Sequence, residues 1–179
     1  MSNSILIMDS DTIARALRRI AHEILEHNPD PTGFALIGIP SRGVELARRL
    51  AALIKATEGR KPELGAIDIS MHRDDLSLRE RIISVQETYL PLKLEKYTII
   101  LVDDVLYTGR TCRAAMDAIS SFGRPARIQF AVLLDRGHRE LPIRPDYVGK
   151  NLPTASDEKV KVRLRNVDNQ EDSVQLERP

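Results

Sequence analysis

The sequence lacks the features of secreted and membrane proteins. Its only cysteine among 179 residues is Cys112, which excludes a disulfide within the chain and is typical of a reducing compartment. No apolar run approaches the ~20 residues that a membrane-spanning helix needs, and no signal peptide is visible. We therefore expect a cytoplasmic protein that does not contact the membrane.

The chain also has no excess of charge of either sign. It contains 27 Lys and Arg against 26 Asp and Glu, so any binding to nucleic acid has to come from a local basic patch. Hydrophobic residues make up 42% and charged residues 30% of the chain, which is typical of a folded globular protein. Residues 1–179 show no internal repeat, and we expect them to form a single domain.

One stretch combines a buried strand, two acids and the start of a helix. Tyr97–Val102 is an apolar, β-branched run that predicts a strand buried on both faces, and Asp103 and Asp104 close it. A short loop then leads to a predicted helix over Cys112–Ile119, with Gly123 just past its end. Ligands of open α/β sheets bind beyond the carboxyl ends of such strands.

The chemistry of this loop favours a sugar phosphate. The helix start offers unpaired N–H groups, and Thr108, Thr111 and the backbone around Gly109 add donors for a phosphate monoester. Asp103 and Asp104 repel a phosphate, but they accept hydrogen bonds from neutral hydroxyls or hold hydrated magnesium. A group that carries vicinal hydroxyls close to a phosphate is a ribose 5-phosphate.

A second strand, turn and helix follow the same plan. Phe34–Ile39 predicts a buried strand and Val44 to about Thr57 predicts a helix, joined by Pro40-Ser41-Arg42-Gly43. The turn fits neither Gly-x-Gly-x-x-Gly nor Gly-x-x-x-x-Gly-Lys-Ser/Thr, which excludes a dinucleotide site and a P-loop here. With Arg42 as its cation, this turn predicts a second oxyanion site.

The rest of the chain supplies further strands. Alternating strands and helices predict an α/β fold with a central, mostly parallel sheet flanked by helices. The segment from Pro142 to Pro153 predicts an irregular cap over the site, and the last dozen residues are polar and are expected to fray. The remaining predicted strands are Gly65–Ser70, Arg127–Leu134 and an edge strand over Lys159–Leu164.

Two segments carry a resemblance to a known family. Val102 to Thr111, Val-Asp-Asp-Val-Leu-Tyr-Thr-Gly-Arg-Thr, resembles the phosphoribosyl-pyrophosphate (PRPP) motif of type I phosphoribosyltransferases. Together with Asp135 to Arg144, Asp-Arg-Gly-His-Arg-Glu-Leu-Pro-Ile-Arg, it resembles the PyrR family more closely. Members of that family are bifunctional attenuators of pyrimidine operons with uracil phosphoribosyltransferase activity. The resemblance, from about Thr12 to Val162, implies the type I fold with a small hood and a mobile loop, Met71 to about Leu90.

The resemblance also implies how substrates bind. Uracil would displace pyrophosphate from PRPP to give UMP, with Mg²⁺ held through water by the two aspartates. Hypoxanthine-guanine transferases have a carboxylate where this chain has Tyr107, and a phenol with a pKa of about 10 cannot replace that anion, which argues against a purine. The implied catalytic residues are Arg42, Arg73, Asp103 and Asp104, and the implied substrate-binding residues are Ser41, Arg42, Asp103, Asp104, Val105, Leu106, Tyr107, Thr108, Gly109, Arg110, Thr111, Arg136 and Val160.

A basic stripe lies on the first predicted helix, which starts at Asp9-Ser10-Asp11. Its residues recur at i, i+3, i+4 and i+7, a pattern that by itself favours an ordinary solvated helix face. The chain has neither an RNP aromatic pair nor a Gly-x-x-Gly clamp. The resemblance implies instead a surface for the mRNA leader of a pyrimidine operon, in a homodimer or larger homo-oligomer. The implied RNA-binding residues are Arg15, Arg18, Arg19, His22, Arg139, Arg144 and Lys150.

Several functions stay open on the sequence. The chain could be both enzyme and regulator, a uracil phosphoribosyltransferase without RNA regulation, or a UMP-sensing RNA-binding regulator with little catalysis. A nucleotide-binding structural subunit is a further class. Formation of UMP from uracil and PRPP separates the enzymes from the other two classes, and binding to an operon leader separates the regulators.

Overall fold

The structure, a computed structural model, describes residues 3–74 and 87–179. In these residues the chain forms two β-sheets and four α-helices. The helices are α1 (Ser10–His27), α2 (Arg42–Glu58), α3 (Arg110–Ser120) and the short α4 (Arg165–Asp168). The strands are β1 (Asn3–Met8), β2 (Phe34–Gly38), β3 (Glu63–Ala66), β4 (Thr98–Leu106), β5 (Arg127–Asp135), β6 (Tyr147–Asn151), β7 (Lys159–Arg163) and β8 (Ser173–Arg178).

β4 is the central strand of a five-stranded sheet. The order is β3-β2-β4-β5-β6 and every neighbouring pair is parallel, which confirms the predicted sheet. Gly38 at the end of β2 pairs with Val102 of β4, and Leu106 at the end of β4 pairs with Asp135 of β5. The carboxyl ends of these strands therefore meet at one edge, where the loops of the two candidate anion sites begin.

Different helices cover the two faces of this sheet. Leu36 and Ile100 pack in the same core cluster as α1 and α2, whereas Ile37 and Leu101 pack with α3. Successive strand residues point to opposite faces, so a sheet covered on both sides requires the uninterrupted apolar runs seen in the sequence. Burial of each such side chain contributes about 1.5–3 kcal/mol, and the two layers hold the strand ends and their loops in place.

Two helix starts show how local sequence signals act. Asp9 caps α1 by accepting a hydrogen bond from the Thr12 N–H at 2.8 Å, as the predicted start requires. α3 begins at Arg110, two residues before the predicted Cys112, and Gly109 before it has φ = 95°, which favours glycine.

Among the described residues, no helix combines the length and the apolar character that crossing a membrane requires.

A second sheet is built from residues near both ends of the chain, and we call it the hood sheet. Its antiparallel order is β1-β8-β7, which makes β7 an edge strand, as predicted. The expectation that the last dozen residues fray is wrong, because Ser173–Arg178 forms the central strand. Val174 and Leu176 alternate with polar residues and are buried, so one apolar face holds this polar segment in the fold.

The predicted irregular cap between Pro142 and Pro153 is also wrong in part. Tyr147–Asn151 forms β6, the strand beside β5 in the main sheet. The ring of Tyr147 is buried in the core, and its hydroxyl donates a hydrogen bond to Gln129 at 2.9 Å. Burial of this large ring outweighs the disruption that the neighbouring prolines cause.

The third predicted strand lies further toward the N-terminus than expected. β3 covers Glu63–Ala66, because the Asp68 carboxylate accepts hydrogen bonds from the N–H and the hydroxyl of Ser70, at 3.0 and 2.8 Å. These bonds favour a turn over an extended strand. Residues 75–86 of the predicted mobile loop lie outside the described residues.

Candidate active site

The two adjacent acids lie on opposite sides of β4. Asp103 is 8% exposed and lines a cleft of about 290 Å³ together with Arg73, Thr111 and Cys112. Asp104 faces α2 instead, where its Oδ2 lies 4.0 Å from Nη1 of Arg42. This follows from the strand, since neighbouring side chains point to opposite faces. The sequence predicted that both acids bind the hydroxyls of one ribose, and the structure adds that each acid lies beside a different loop.

The environment of Asp103 disfavours its charge. Burial and, after it, the negative charge of Asp104 raise the pKa of the Asp103 carboxyl well above its ordinary value. The N–H of Asp104 donates to Asp103 Oδ1 at 2.8 Å, which opposes the rise only in part. A ligand that brings hydroxyl donors or positive charge to this carboxyl would relieve the repulsion, so the site favours such a ligand.

The loop between β4 and α3 forms one wall of the cleft, and we call this loop the cradle. Its residues from Val105 to Cys112 line the cleft, and α3 starts there, where the first turn of a helix leaves N–H groups without a partner inside the helix. Thr108 Oγ1 accepts a hydrogen bond from the Arg110 N–H at 3.3 Å and closes the turn. A side chain at Gly109 would lie 3.3 Å from Ile143, so glycine fits both the conformation and the space. The predicted loop residues therefore lie together around one cleft.

The two arginines near this cradle have different surroundings. The side chain of Arg110 is paired with Asp74 and Glu140, each at 2.7 Å, so its charge is already matched within the fold. Arg73 lines the cleft, and its Nη1 donates to Thr111 Oγ1 at 3.5 Å. Arg73 is thus the predicted catalytic cation that lies beside Asp103.

The second predicted oxyanion loop lies at the start of α2. Ser41 is exposed and precedes the helix, and Arg42 is its first residue. Side chains at Gly38 and Gly43 would collide with neighbouring backbone, at 2.3 Å from Val44 Cα and from the Val102 carbonyl oxygen respectively. These glycines allow β2, α2 and β4 to approach closely, and they bring the second loop to the side of Asp104.

On the side of the hood sheet, a buried arginine lies over an aromatic ring. Arg136 is 8% exposed, and its guanidinium carbon lies 4.2 Å above the ring centre of Tyr107. It donates to Thr154 Oγ1 at 3.0 Å and to the carbonyl oxygens of Ala155 and Glu158 at 3.2 and 2.9 Å. Arg136 therefore fixes the loop that leads into β7. The half-buried Val160, on β7 itself, packs against the same core cluster as Val105.

The predicted RNA-binding residues divide into two groups. Arg19 donates to the carbonyl oxygens of Val148 and Gly149 at 3.1 and 2.5 Å, which joins the α1 stripe to β6 and to the exposed Lys150. Arg139 instead donates to the carbonyl oxygens of Tyr107 and Ile143 and to Asp135, beside the phosphate loop. The exposed members of the set are Arg15, Arg18, Arg19, His22, Arg144 and Lys150.

The donor set around β4 fits a hydrated cation rather than a protein-held metal. In residues 3–74 and 87–179, no three His, Cys, Asp or Glu side chains gather in a cluster that could hold a metal. Asp103 and Asp104 supply two carboxylates at most. Mg²⁺ commonly keeps several waters and uses one or two carboxylates plus substrate phosphates, so these residues fit it.

A parallel sheet with a hood sheet, and two acids between two loops predicted to bind anions, are typical of the class of phosphoribosyltransferases. Residues 7–165 match the family of phosphoribosyl transferase domains. A bifunctional protein PyrR of Chloroflexus aurantiacus is 55% identical over 98% of this chain and 97% of its own length. Another, from Deinococcus deserti, is 56% identical over 95% of this chain and 92% of its own. The chain belongs to the PyrR family.

Solved structures of lower identity share the fold. The hypoxanthine phosphoribosyltransferase of Trypanosoma cruzi is 18% identical, with a TM-score of 0.69 over 97% of this chain and 96% of that one. The HGPRT-ase of Leishmania tarentolae in complex with GMP is 17% identical, with a TM-score of 0.69 over 98% of both chains. These likenesses support the type I fold but say nothing of the base that this chain uses.

Three contacting residues had no signal in the sequence. Thr154 and Glu158 accept hydrogen bonds from Arg136, which precedes them by 18 and 22 residues. Asp168 accepts hydrogen bonds from Arg42, which lies 126 residues earlier in the chain. Only the tertiary fold brings these partners together. Alternation along the predicted strand, in contrast, could have placed Asp103 and Asp104 on opposite faces.

Proposed function

We propose that this chain transfers the phosphoribosyl group of PRPP to uracil, giving UMP and pyrophosphate, and that it regulates pyrimidine genes by binding an mRNA leader. The observation that carries the enzymatic half is the position of β4 between two anion loops, with an acid on each side. PRPP has the complementary pattern, since its neutral ribose hydroxyls lie between a phosphate and a pyrophosphate.

In the proposed complex, the N–H groups of the α3 start and the hydroxyls of Thr108 and Thr111 bind the 5-phosphate. Asp103 and Asp104 accept hydrogen bonds from the ribose hydroxyls. Their negative charge stabilises the positive charge that develops on the ribose ring as the bond to pyrophosphate breaks. The reaction therefore depends on positioning and electrostatics, without a covalent bond to the enzyme.

The leaving pyrophosphate would lie at the start of α2. Ser41 and Arg42 bind it from this side, and Arg73 neutralises it from the side of Asp103. Mg²⁺, when bound through water to the aspartates, supplies further neutralisation of the phosphate oxygens. The preference for uracil follows from Tyr107, because this position offers no anion to a purine imidazole at neutral pH. The hood around Arg136 and Val160 would bind the smaller base.

The enzymatic half is tested by incubating the protein with PRPP, magnesium and either uracil or hypoxanthine. We expect UMP and pyrophosphate from uracil and no nucleotide from hypoxanthine. Absence of UMP above background would refute the enzymatic half. Formation of IMP at a rate similar to that of UMP would refute the argument from Tyr107.

The regulatory half rests on the exposed basic residues along α1, with Arg144 and Lys150 nearby in the chain after β5. Cationic side chains on one surface bind RNA phosphates with a strong salt dependence, even in a chain of nearly zero net charge. We further propose that the chain acts in the cytoplasm as a homo-oligomer, whose symmetry repeats this surface. Sedimentation analysis of the protein with and without RNA tests the oligomer.

Arg18→Glu is the sharpest test of this surface. Arg18 is exposed on α1, whereas Arg19 also holds the backbone of β6, so reversal at Arg18 separates RNA binding from folding. We expect Arg18→Glu to weaken binding to the operon's own leader without changing the melting temperature or UMP synthesis. Lys55→Glu, an equal change of charge on the exposed side of α2, serves as the control. Equal RNA affinity in the two variants would refute the proposed surface.

A further inference from the structure

α2 is attached to the chain after β7 by two similar ion pairs. Arg42 and Arg49 lie two helical turns apart on one side of α2. Arg42 donates through Nε and Nη2 to the carboxylate of Asp168, at 3.1 and 2.8 Å, and Arg49 donates through Nη1 and Nη2 to Asp172, the latter at 3.1 Å. The two pairs are therefore matched in chemistry and differ in their distance from the site.

The two ion pairs differ in the guanidinium nitrogen that does not bind the paired aspartate, which is Nη1 in Arg42 and Nε in Arg49. Nη1 of Arg42 remains directed toward the site, 4.0 Å from Asp104 Oδ2. Nε of Arg49 donates instead to the buried Glu45 at 2.7 Å, so all the bonds described for Arg49 are to acids that no predicted ligand uses. Loss of the first pair would therefore change the charge beside the ribose, and loss of the second would change stability alone.

Arg42 lies between two acids, and it binds Asp168 at 2.8 Å but approaches Asp104 only to 4.0 Å. Burial would raise the pKa of the Asp168 carboxyl, but hydrogen bonds from Arg42 and from the Leu164 N–H outweigh burial and hold the pKa below its usual value. The residue is therefore ionised at neutral pH. Without this charge, the long guanidinium side chain of Arg42 could close the 4.0 Å gap to Asp104, and that closer pairing would withdraw both groups from the substrate.

We propose that Asp168 is a positioning residue, which binds Nε and Nη2 of Arg42, limits the contact of Arg42 with Asp104 to the 4.0 Å approach of Nη1 and keeps Nη1 available to the pyrophosphate group of PRPP. This inference rests on the proposed function of the cleft. Because Asp168 also accepts the N–H of Leu164, directly after β7, it joins the pyrophosphate loop to the hood sheet. Its effect should appear only with ligands that occupy the α2 side of the site.

The test compares Asp168→Asn with Asp172→Asn, since asparagine keeps a hydrogen-bond acceptor and removes the charge. Calorimetric titration with magnesium pyrophosphate and with UMP measures binding without turnover. We expect Asp168→Asn to weaken pyrophosphate binding about tenfold, as for loss of one charge-assisted hydrogen bond, and to leave UMP affinity within about twofold. The KM for PRPP should rise in parallel, and Asp168→Glu should restore part of the loss. Asp172→Asn should lower the melting temperature and change neither affinity.

A double-mutant cycle with Arg42→Ala separates positioning from general destabilisation. If Asp168 acts through Arg42, Asp168→Asn adds no further loss of pyrophosphate affinity in the Arg42→Ala background. Additive losses, equal losses for UMP and pyrophosphate, or equal effects of the two asparagine variants would each overturn the inference. The inference would also be overturned if the unsubstituted protein bound no pyrophosphate. If the unsubstituted protein bound both pyrophosphate and UMP but formed no UMP from PRPP and uracil, only the enzymatic function would be refuted.

Discussion

Gly43→Ala is the substitution for which the structure makes the clearest quantitative prediction. Its Cβ would lie 2.3 Å from the Val102 carbonyl oxygen, whereas ordinary contacts begin at 3.4 Å, so α2 and β4 must separate by about 1 Å. Overpacking of this kind costs about 1–3 kcal/mol. In a chain of this size, that loss lowers the melting temperature by roughly 2–12 °C.

The same shift should affect catalysis, because Gly43 separates the two halves of the site. Arg42 precedes it on α2, and Val102 precedes Asp103 on β4. A displacement of about 1 Å between reacting groups lowers an enzymatic rate about 100-fold. We therefore expect kcat/KM for UMP synthesis, measured with PRPP and uracil at saturating magnesium, to fall by about two orders of magnitude.

Gly33→Ala is the matched control for this prediction. A side chain at Gly33 meets nothing within 4 Å, so the same methyl group should change stability by no more than about 0.5 kcal/mol. Melting curves by circular dichroism and initial rates should be measured on both variants. If Gly43→Ala melts and turns over like Gly33→Ala, the close approach of α2 and β4 does not position the site.

Three further predictions concern charge and stability. Asp103→Asn should abolish most UMP synthesis yet raise the melting temperature of the ligand-free protein at pH 7. Burial and the charge of Asp104 raise the pKa of Asp103, so the ionised carboxylate opposes folding, and the gain in melting temperature should disappear below about pH 4. An unchanged or lower melting temperature at pH 7 would contradict this prediction. Burial would raise the pKa of Asp172, but Arg49 and the Arg165 N–H outweigh it and hold the pKa below the usual value. Its stabilisation is therefore present above about pH 4 and lost as pH falls through the lowered pKa, so Asp172→Asn should flatten the acid side of a plot of melting temperature against pH. Arg19→Met should lower stability by about 1 kcal/mol in denaturant titrations, because α1 loses its hydrogen bonds to β6; a larger loss in Arg18→Met would refute this assignment.

Local patterns were sufficient for the parts of the fold that depend on neighbours in sequence. The apolar runs of β2, β4 and β5 and the loops after them determined the parallel sheet and the phosphate cradle, because each strand, turn and helix start is encoded within about 20 residues. β8 could not be predicted in this way. Its polar composition is stabilised by pairing with β1, which begins some 170 residues earlier at Asn3. Such pairing depends on chain topology rather than on local propensity.

The candidate site also combines residues that are adjacent in sequence with residues that only the tertiary fold brings together. The position of the loop from Val105 to Thr111 at the cleft could be predicted, since its residues are adjacent in sequence and follow one strand. The partner of Arg42 could not be predicted, because Asp168 lies 126 residues away, in the short helix α4, which has no distinctive sequence signal. The RNA-binding role of Arg139 stays a prediction, and the structure shows that its side chain also donates a hydrogen bond to the carbonyl oxygen of Tyr107. Charge type alone does not reveal whether a guanidinium is already bonded within the fold.

The position of the acids on opposite faces of β4 explains how one strand can serve a substrate with three differently charged parts. Two helix starts, α2 and α3, present positive ends at the same edge of the sheet, and an uninterrupted basic site there would bind any polyphosphate. Asp103 and Asp104 place negative charge between them, so a phosphate in the middle is repelled and neutral hydroxyls are preferred. UMP has only the 5-phosphate and would leave the α2 side empty. Its affinity should therefore depend on the α3 loop and not on Arg42, whereas PRPP should require both.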